Sequence, residues 1–106
     1  MPNLPAPYER FVSAQPTVAK AYDDLARACH GAGPLDEKTR QLIKLGIAIG
    51  QQSEGSTKSH ARQALEAGVT REQVRHAVLL TLTTTGFPAM IAAREWVEEV
   101  IATASK

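Results

Sequence analysis

The sequence is short of most features that would announce a function. It has one cysteine, Cys29, among 106 residues, which rules out an internal disulfide and a Cys-x-x-Cys pair. Aromatic residues make up 5% of the chain, too few for the stacking platforms on which single strands of nucleic acid lie. Neither sign of charge prevails: 12 Lys and Arg stand against 11 Asp and Glu, for a formal net charge of +1. With the basic residues scattered, neither nucleic acid nor an anionic membrane is expected as a partner. No apolar run approaches the roughly 20 residues of a membrane helix. The opening MPNLPAPYERF lacks the basic start and apolar core of a secretory signal. These absences lead to the expectation of a cytoplasmic protein with one domain over residues 1–106.

What is present is helical punctuation. Pro2, Pro5 and Pro7 suggest an extended arm and entry turn, so that residues 1–15 form an arm with a short helix, Phe11 and Val12 facing inward. Pro16 suits the first turn of a second helix, along which Val18, Tyr22, Leu25 and Cys29 share one face. Gly31, Gly33 and Pro34 stop it. Asp36 caps a third helix, LDEKTRQLIKLGIAIG, apolar on nearly every side. Ala61, Ala64, Leu65 and Gly68 form the packing side of a fourth. Thr70 and Gln73 form a capping box that opens a fifth, REQVRHAVLLTLTTTG. A sixth begins near Pro88 and places Met90, Ile91, Val97, Val100 and Ile101 at a 3.6-residue period, with Trp96 at the edge. The fold class is all-α, with about six helices in a bundle. A chain this short cannot easily surround two helices that are apolar all round, so a homo-oligomer is expected.

The segment GQQSEGSTKSH, from Gly50 to His60, carries the chemistry. It has the two glycines of a phosphate loop, but its lysine, Lys58, stands two residues too late and no strand is evident before it. By helical spacing the same stretch places Ser56 and His60 on one face. A serine hydrolase would need a nucleophile elbow and a third member of the triad, and neither is evident. His30, His60 and His76 are too far apart for metal-ligand spacing.

Three blocks resemble the carboxymuconolactone decarboxylase family, which includes the alkylhydroperoxidase D-like proteins. They are LDEKTRQLIKLGIAIG, SEGSTKSHARQALEAGVTREQVRHAVLLT and TGFPAMIAAREW, together spanning about residues 35–100. The resemblance implies an alkylhydroperoxidase D-like helical bundle assembled as trimers or hexamers. In the family's redox branch the motif is Cys-x-x-Cys-x-x-x-His, with a relay glutamate on the preceding helix. Here those positions hold Ser53, Ser56 and Gln41, and His60 alone remains. A serine hydroxyl lacks the ionised population of a thiol and forms no disulfide, and Gln41 cannot relay a proton. Thiol peroxidase activity is therefore not expected.

The decarboxylase branch implies a lyase without a cofactor, acting on a small carboxylated lactone or ring compound. His60 would be its acid/base. Arg40 or Arg62 would hold the substrate carboxylate, Gln41 would orient a carbonyl, Ser56 would hold the ring or a substrate oxygen, and Ser53 would join them in binding substrate. Simpler roles stand beside these: Ser53 and Ser56 as helix caps, His60 as a hydrogen-bonded histidine at a helix contact, Arg40 as an ion-pair partner of Glu37. A ligand-binding or scaffold member without catalysis is the alternative function.

Overall fold

The computed structural model describes residues 5–104, whose regular elements are all helices, without a strand. They divide into two compact units, one ending at Pro34 and one beginning at Leu35.

The first unit is a pair of helices, α1 (Ala6–Ala14) and α2 (Pro16–His30), that pack on each other. One residue, Gln15, joins them, and Pro16 starts α2 where a missing N–H costs no hydrogen bond. Ala19 is the buried residue of this unit. Phe11 is 46% exposed, Tyr22 64% and Leu25 60%, so Phe11 does not face inward as expected. The periodic face of α2 exists but lies open. Pro2, part of the expected arm, lies outside the described residues.

The second unit holds α3 (Glu37–Gly50), α4 (Glu54–Glu66), α5 (Arg71–Leu80), α6 (Leu82–Thr85) and α7 (Phe87–Ala104). Its core joins Leu45 and Ile49 of α3, Ala61 and Ala64 of α4, Val74 and Val78 of α5, and Met90, Ala93, Val97 and Ile101 of α7. The alanines of α4 let its backbone approach α3 and α7, the two helices against which it packs most extensively. α3 is not buried all round: Leu45, Ala48 and Ile49 face the core, whereas Ile43 and Ile47 lie open. α5 likewise leaves Leu79 and Leu80 exposed.

The helix ends follow local chemistry. The Asp36 carboxylate accepts from the Thr39 N–H at 2.9 Å, and the Thr70–Gln73 capping box is formed in both directions. Two helices end in the same motif, in which a residue of positive φ turns the chain so that its own N–H and the next one cap the last carbonyls. At the end of α4 that residue is Gly68, φ 98°, with Gly68 N–H bonded to Leu65 and Val69 N–H to Ala64. At the end of α3 it is Gln52, φ 54°, with Gln52 N–H bonded to Ile49 and Ser53 N–H to Ala48.

Ser53 therefore serves two helices. Its N–H closes α3, and its Oγ accepts from the Ser56 N–H at 3.3 Å to open α4. Three residues thus complete the α3–α4 hairpin.

The expected fifth helix breaks at Thr81. Thr81 Oγ1 donates to the Val78 carbonyl at 2.7 Å and Thr85 Oγ1 to the Thr81 carbonyl at 3.0 Å. Such back-bonding bends a helix, and the chain continues as the short α6. Gly86, φ 100°, then separates α6 from α7.

Candidate functional site

A cleft of about 200 Å³ is lined by Lys44, Ile47, Ala48 and Gln51 from α3 and its C-terminal cap, and by Ser56 and His60 from α4. The four α3 positions follow i, i+3, i+4, i+7, one helical stripe, and the two α4 positions are one turn apart. The hairpin built around Ser53 brings these stripes together. Lys44, Ser56 and His60 are half-buried, so a bound group would meet them partly shielded from water, where charge interacts more strongly.

A hydrogen-bonded chain of side chains leads from the ring. His60 Nδ1 lies 3.1 Å from Gln41 Oε1. Gln41 Nε2 donates to Gln63 Oε1 at 3.2 Å, and Gln63 Nε2 donates to Ser59 Oγ at 2.9 Å. Gln41 is 2% exposed, and these two contacts satisfy both ends of its buried amide. An amide oxygen facing Nδ1 requires Nδ1 to carry a proton, which leaves the lone pair of the neutral ring on Nε2.

The structure brings together His60, Gln41 and Ser56 of the residues singled out in the sequence. Ser53 is the α4 cap rather than part of the cleft lining. Neither Arg40 nor Arg62 lines the cleft. The Arg40 Nη1 donates to the Leu35 carbonyl, fastening the segment that leads into α3. The cation of the lining is Lys44, which the sequence reading passed over. Its signal was there, three residues after Gln41 and three before Ile47 on the same stripe.

The phosphate-loop reading ends here. The segment before Gly55 is α3, not a strand, and Gly55 is part of α4 with open space where a Cβ would lie. Lys58 pairs with Glu54 at 2.8 Å and with Glu99 at 3.4 Å. The Glu54 carboxylate, before Glu99, holds the Lys58 ammonium charged above its ordinary range. Among the described residues no cluster of three or more His, Cys, Asp or Glu side chains is arranged to hold a metal ion. Among them, too, no helix is long and apolar enough to cross a membrane.

Comparison with known proteins gives this geometry a context. The model of the carboxymuconolactone decarboxylase family matches residues 16–99. The nitrosuccinic acid decarboxylase npaB of Metarhizium robertsii is 41% identical over 59 residues, 56% of this chain and 41% of the fungal protein. An uncharacterized protein of Methanocaldococcus jannaschii is 31% identical over 67 residues, 62% of this chain and 64% of that protein. The chain thus spans less than two thirds of the length of either relative. A crystal structure of the apo form of a carboxymuconolactone decarboxylase family protein from Legionella pneumophila is similar with a TM-score of 0.76 at 25% identity. The likeness covers 90% of this chain and 85% of that one.

Proposed function

The chain belongs to the carboxymuconolactone decarboxylase family, and from that premise we propose that the α3–α4 cleft binds a small carboxylate and decarboxylates it without a cofactor. The observation that carries this reading is the joint presence of Lys44 and His60 in one cleft lining, with Gln41 against Nδ1 of the ring.

Decarboxylation breaks the bond to the carboxyl carbon, releases carbon dioxide, and pushes the bonding pair into an adjacent electron-accepting group. A lactone carbonyl or a nitroso group both serve. The second fits the name of the fungal relative. The ammonium of Lys44 holds a substrate carboxylate and stabilises the oxyanion that forms. His60, protonated at Nε2, delivers that proton to the carbanion carbon, and solvent restores it. Nδ1–H keeps its bond to Gln41 Oε1 in both states of the ring, so Nε2 cycles without a change in ring position. Ser56, one turn before His60, is placed to hold a substrate oxygen.

Thiol peroxidase chemistry is not part of this proposal. The positions that resemble the redox cysteines hold Ser53 and Ser56, and Cys29 is exposed on α2. The assembly is proposed to be a homo-oligomer. Ile43, Ile47, Leu79, Leu80 and Phe87 are 46% to 60% exposed, and further copies of the chain would remove them from water.

The direct test is carbon dioxide release from a panel of small carboxylates, including nitrosuccinate and carboxylated lactones, by wild type and His60→Ala. Release that depends on His60 supports the reading. Release unchanged in the variant sinks it. Carboxylate binding without release by the wild type on any member of the panel favours the ligand-binding alternative.

A further inference from the structure

We infer that Gln51 is a specificity-determining residue of the α3–α4 cleft, whose amide receives a second, uncharged polar group of a small acid held by its carboxylate at Lys44. The ligand class is a short carboxylic acid that carries a carbonyl or a hydroxyl a few carbons from the carboxylate. The inference rests on the reading of the cleft as a carboxylate site.

The lining has an order along its length. Lys44 and Gln51 are the two ends of the α3 stripe, seven residues apart, which a helix covers in about 10 Å. Between them the wall is Ile47 and Ala48, an apolar step. Across the cleft α4 runs in the opposite direction. Its His60 is tied to the Lys44 end, because the ring lies 3.1 Å from Gln41, one turn from Lys44. Its first turn is tied to the Gln51 end, because Ser53 N–H bonds to the Ala48 carbonyl and Ser53 Oγ accepts from the Ser56 N–H. The ammonium and the imidazole therefore gather at one end of the cleft. A neutral amide stands at the other, and the Ser56 hydroxyl lies one turn from the ring toward it.

The Gln51 side chain has no structural task that explains it. The end of α3 is closed by backbone N–H groups, Gln51 to Ile47, Gln52 to Ile49 and Ser53 to Ala48. The start of α4 is capped by the Ser53 hydroxyl. Gln51 is exposed, so it fills no part of the core. Its amide donates through Nε2 and accepts through Oε1. It thus takes a carbonyl or a hydroxyl alike, and it discriminates hydrogen-bonding groups from hydrocarbon rather than one direction of the bond from the other.

The test reads binding and needs no turnover. Valerate and levulinate have chains of equal length and differ by a carbonyl in place of a methylene. Their affinities for the full chain are measured by chemical-shift titration, with glutarate as a third probe. Gln51→Met keeps the length and apolar stem of the side chain and removes the amide. It should lower the ratio of levulinate to valerate affinity about two- to tenfold, the worth of one hydrogen bond, with valerate affinity unchanged. Gln51→Lys places a second cation at that end. It should raise glutarate affinity relative to valerate about tenfold, as a charge-assisted bond would. Gln52→Lys, next in the chain but outside the cleft lining, should not. A levulinate ratio unmoved in Gln51→Met overturns the inference. So does a glutarate gain that Gln52→Lys reproduces, and so does a wild-type chain that binds none of the three acids. Acids that bind with this dependence on Gln51 but are never decarboxylated, nor any of the carboxylate panel, would refute the proposed function and leave the role of Gln51 standing. Carbon dioxide release that depends on His60, with an unmoved ratio, would do the reverse.

Discussion

Lys44 of α3 and His60 of α4 line the same cleft of about 200 Å³. A lysine ammonium and a histidine ring thus border one cleft. The helices that carry them are joined by Gln51, Gln52 and Ser53 alone, so the pairing is fixed by a local turn. Chemistry belongs to the site that the helices position, not to the fold itself.

Replacing His60 by alanine should lower turnover of any authentic substrate about 10²- to 10⁴-fold, the range for loss of a positioned acid/base. Steady-state kinetics read this directly. A retained far-ultraviolet circular dichroism spectrum separates it from unfolding.

Lys44→Met keeps most of the apolar stem and removes the charge. Carboxylate affinity should fall about tenfold, equivalent to ~1.4 kcal/mol. Titration calorimetry with a small dicarboxylate measures it. Unchanged affinity would place the anion elsewhere.

Gln52 holds φ 54° at a position where Gly68 serves the other helix end of the same kind. A residue with a Cβ in the left-handed region costs about 1–2 kcal/mol relative to ordinary backbone. Gln52→Gly should therefore stabilise the chain by about 1 kcal/mol, visible as a rise of several degrees in Tm. No change would mean that the added freedom of the unfolded glycine offsets the relief.

Arg75 on α5 grips Glu98 on α7 through Nε at 2.9 Å and Nη2 at 3.0 Å. The hydrogen bond from Arg75 holds the Glu98 carboxyl below its usual range. A carboxyl whose folded value is depressed contributes stability above its unfolded pKa and loses it as pH falls through the folded one. Acid should thus weaken the chain below the ordinary glutamate range. Glu98→Gln should flatten that part of the stability–pH curve, as denaturant titrations at several pH values would show.

The helices were legible because their ends are written in local chemistry. Asp36, the Thr70–Gln73 box, Gly68 and Pro16 act within a few residues of themselves. The break at Thr81 was hidden, since threonine hydroxyls either point outward or bond back to the helix, and the sequence does not choose. The site was half legible. His60 and Ser56 followed from four-residue spacing, and Gln41 from the resemblance. Lys44 was missed in favour of Arg40 and Arg62, because the face of α3 that meets α4 depends on the hairpin turn. That turn runs through a glutamine in a conformation usually left to glycine. The exposure of Ile43, Ile47, Leu79 and Leu80 was likewise invisible to periodicity, which shows that a helix is apolar but not which side is covered.

The most direct measurement of the central claim is turnover on the carboxylate panel by wild type, His60→Ala and Lys44→Met side by side, followed as carbon dioxide release. The account predicts release by the wild type, near-complete loss in His60→Ala, and a raised KM in Lys44→Met. Release at the wild-type rate by both variants would contradict it and place the chemistry outside the α3–α4 cleft.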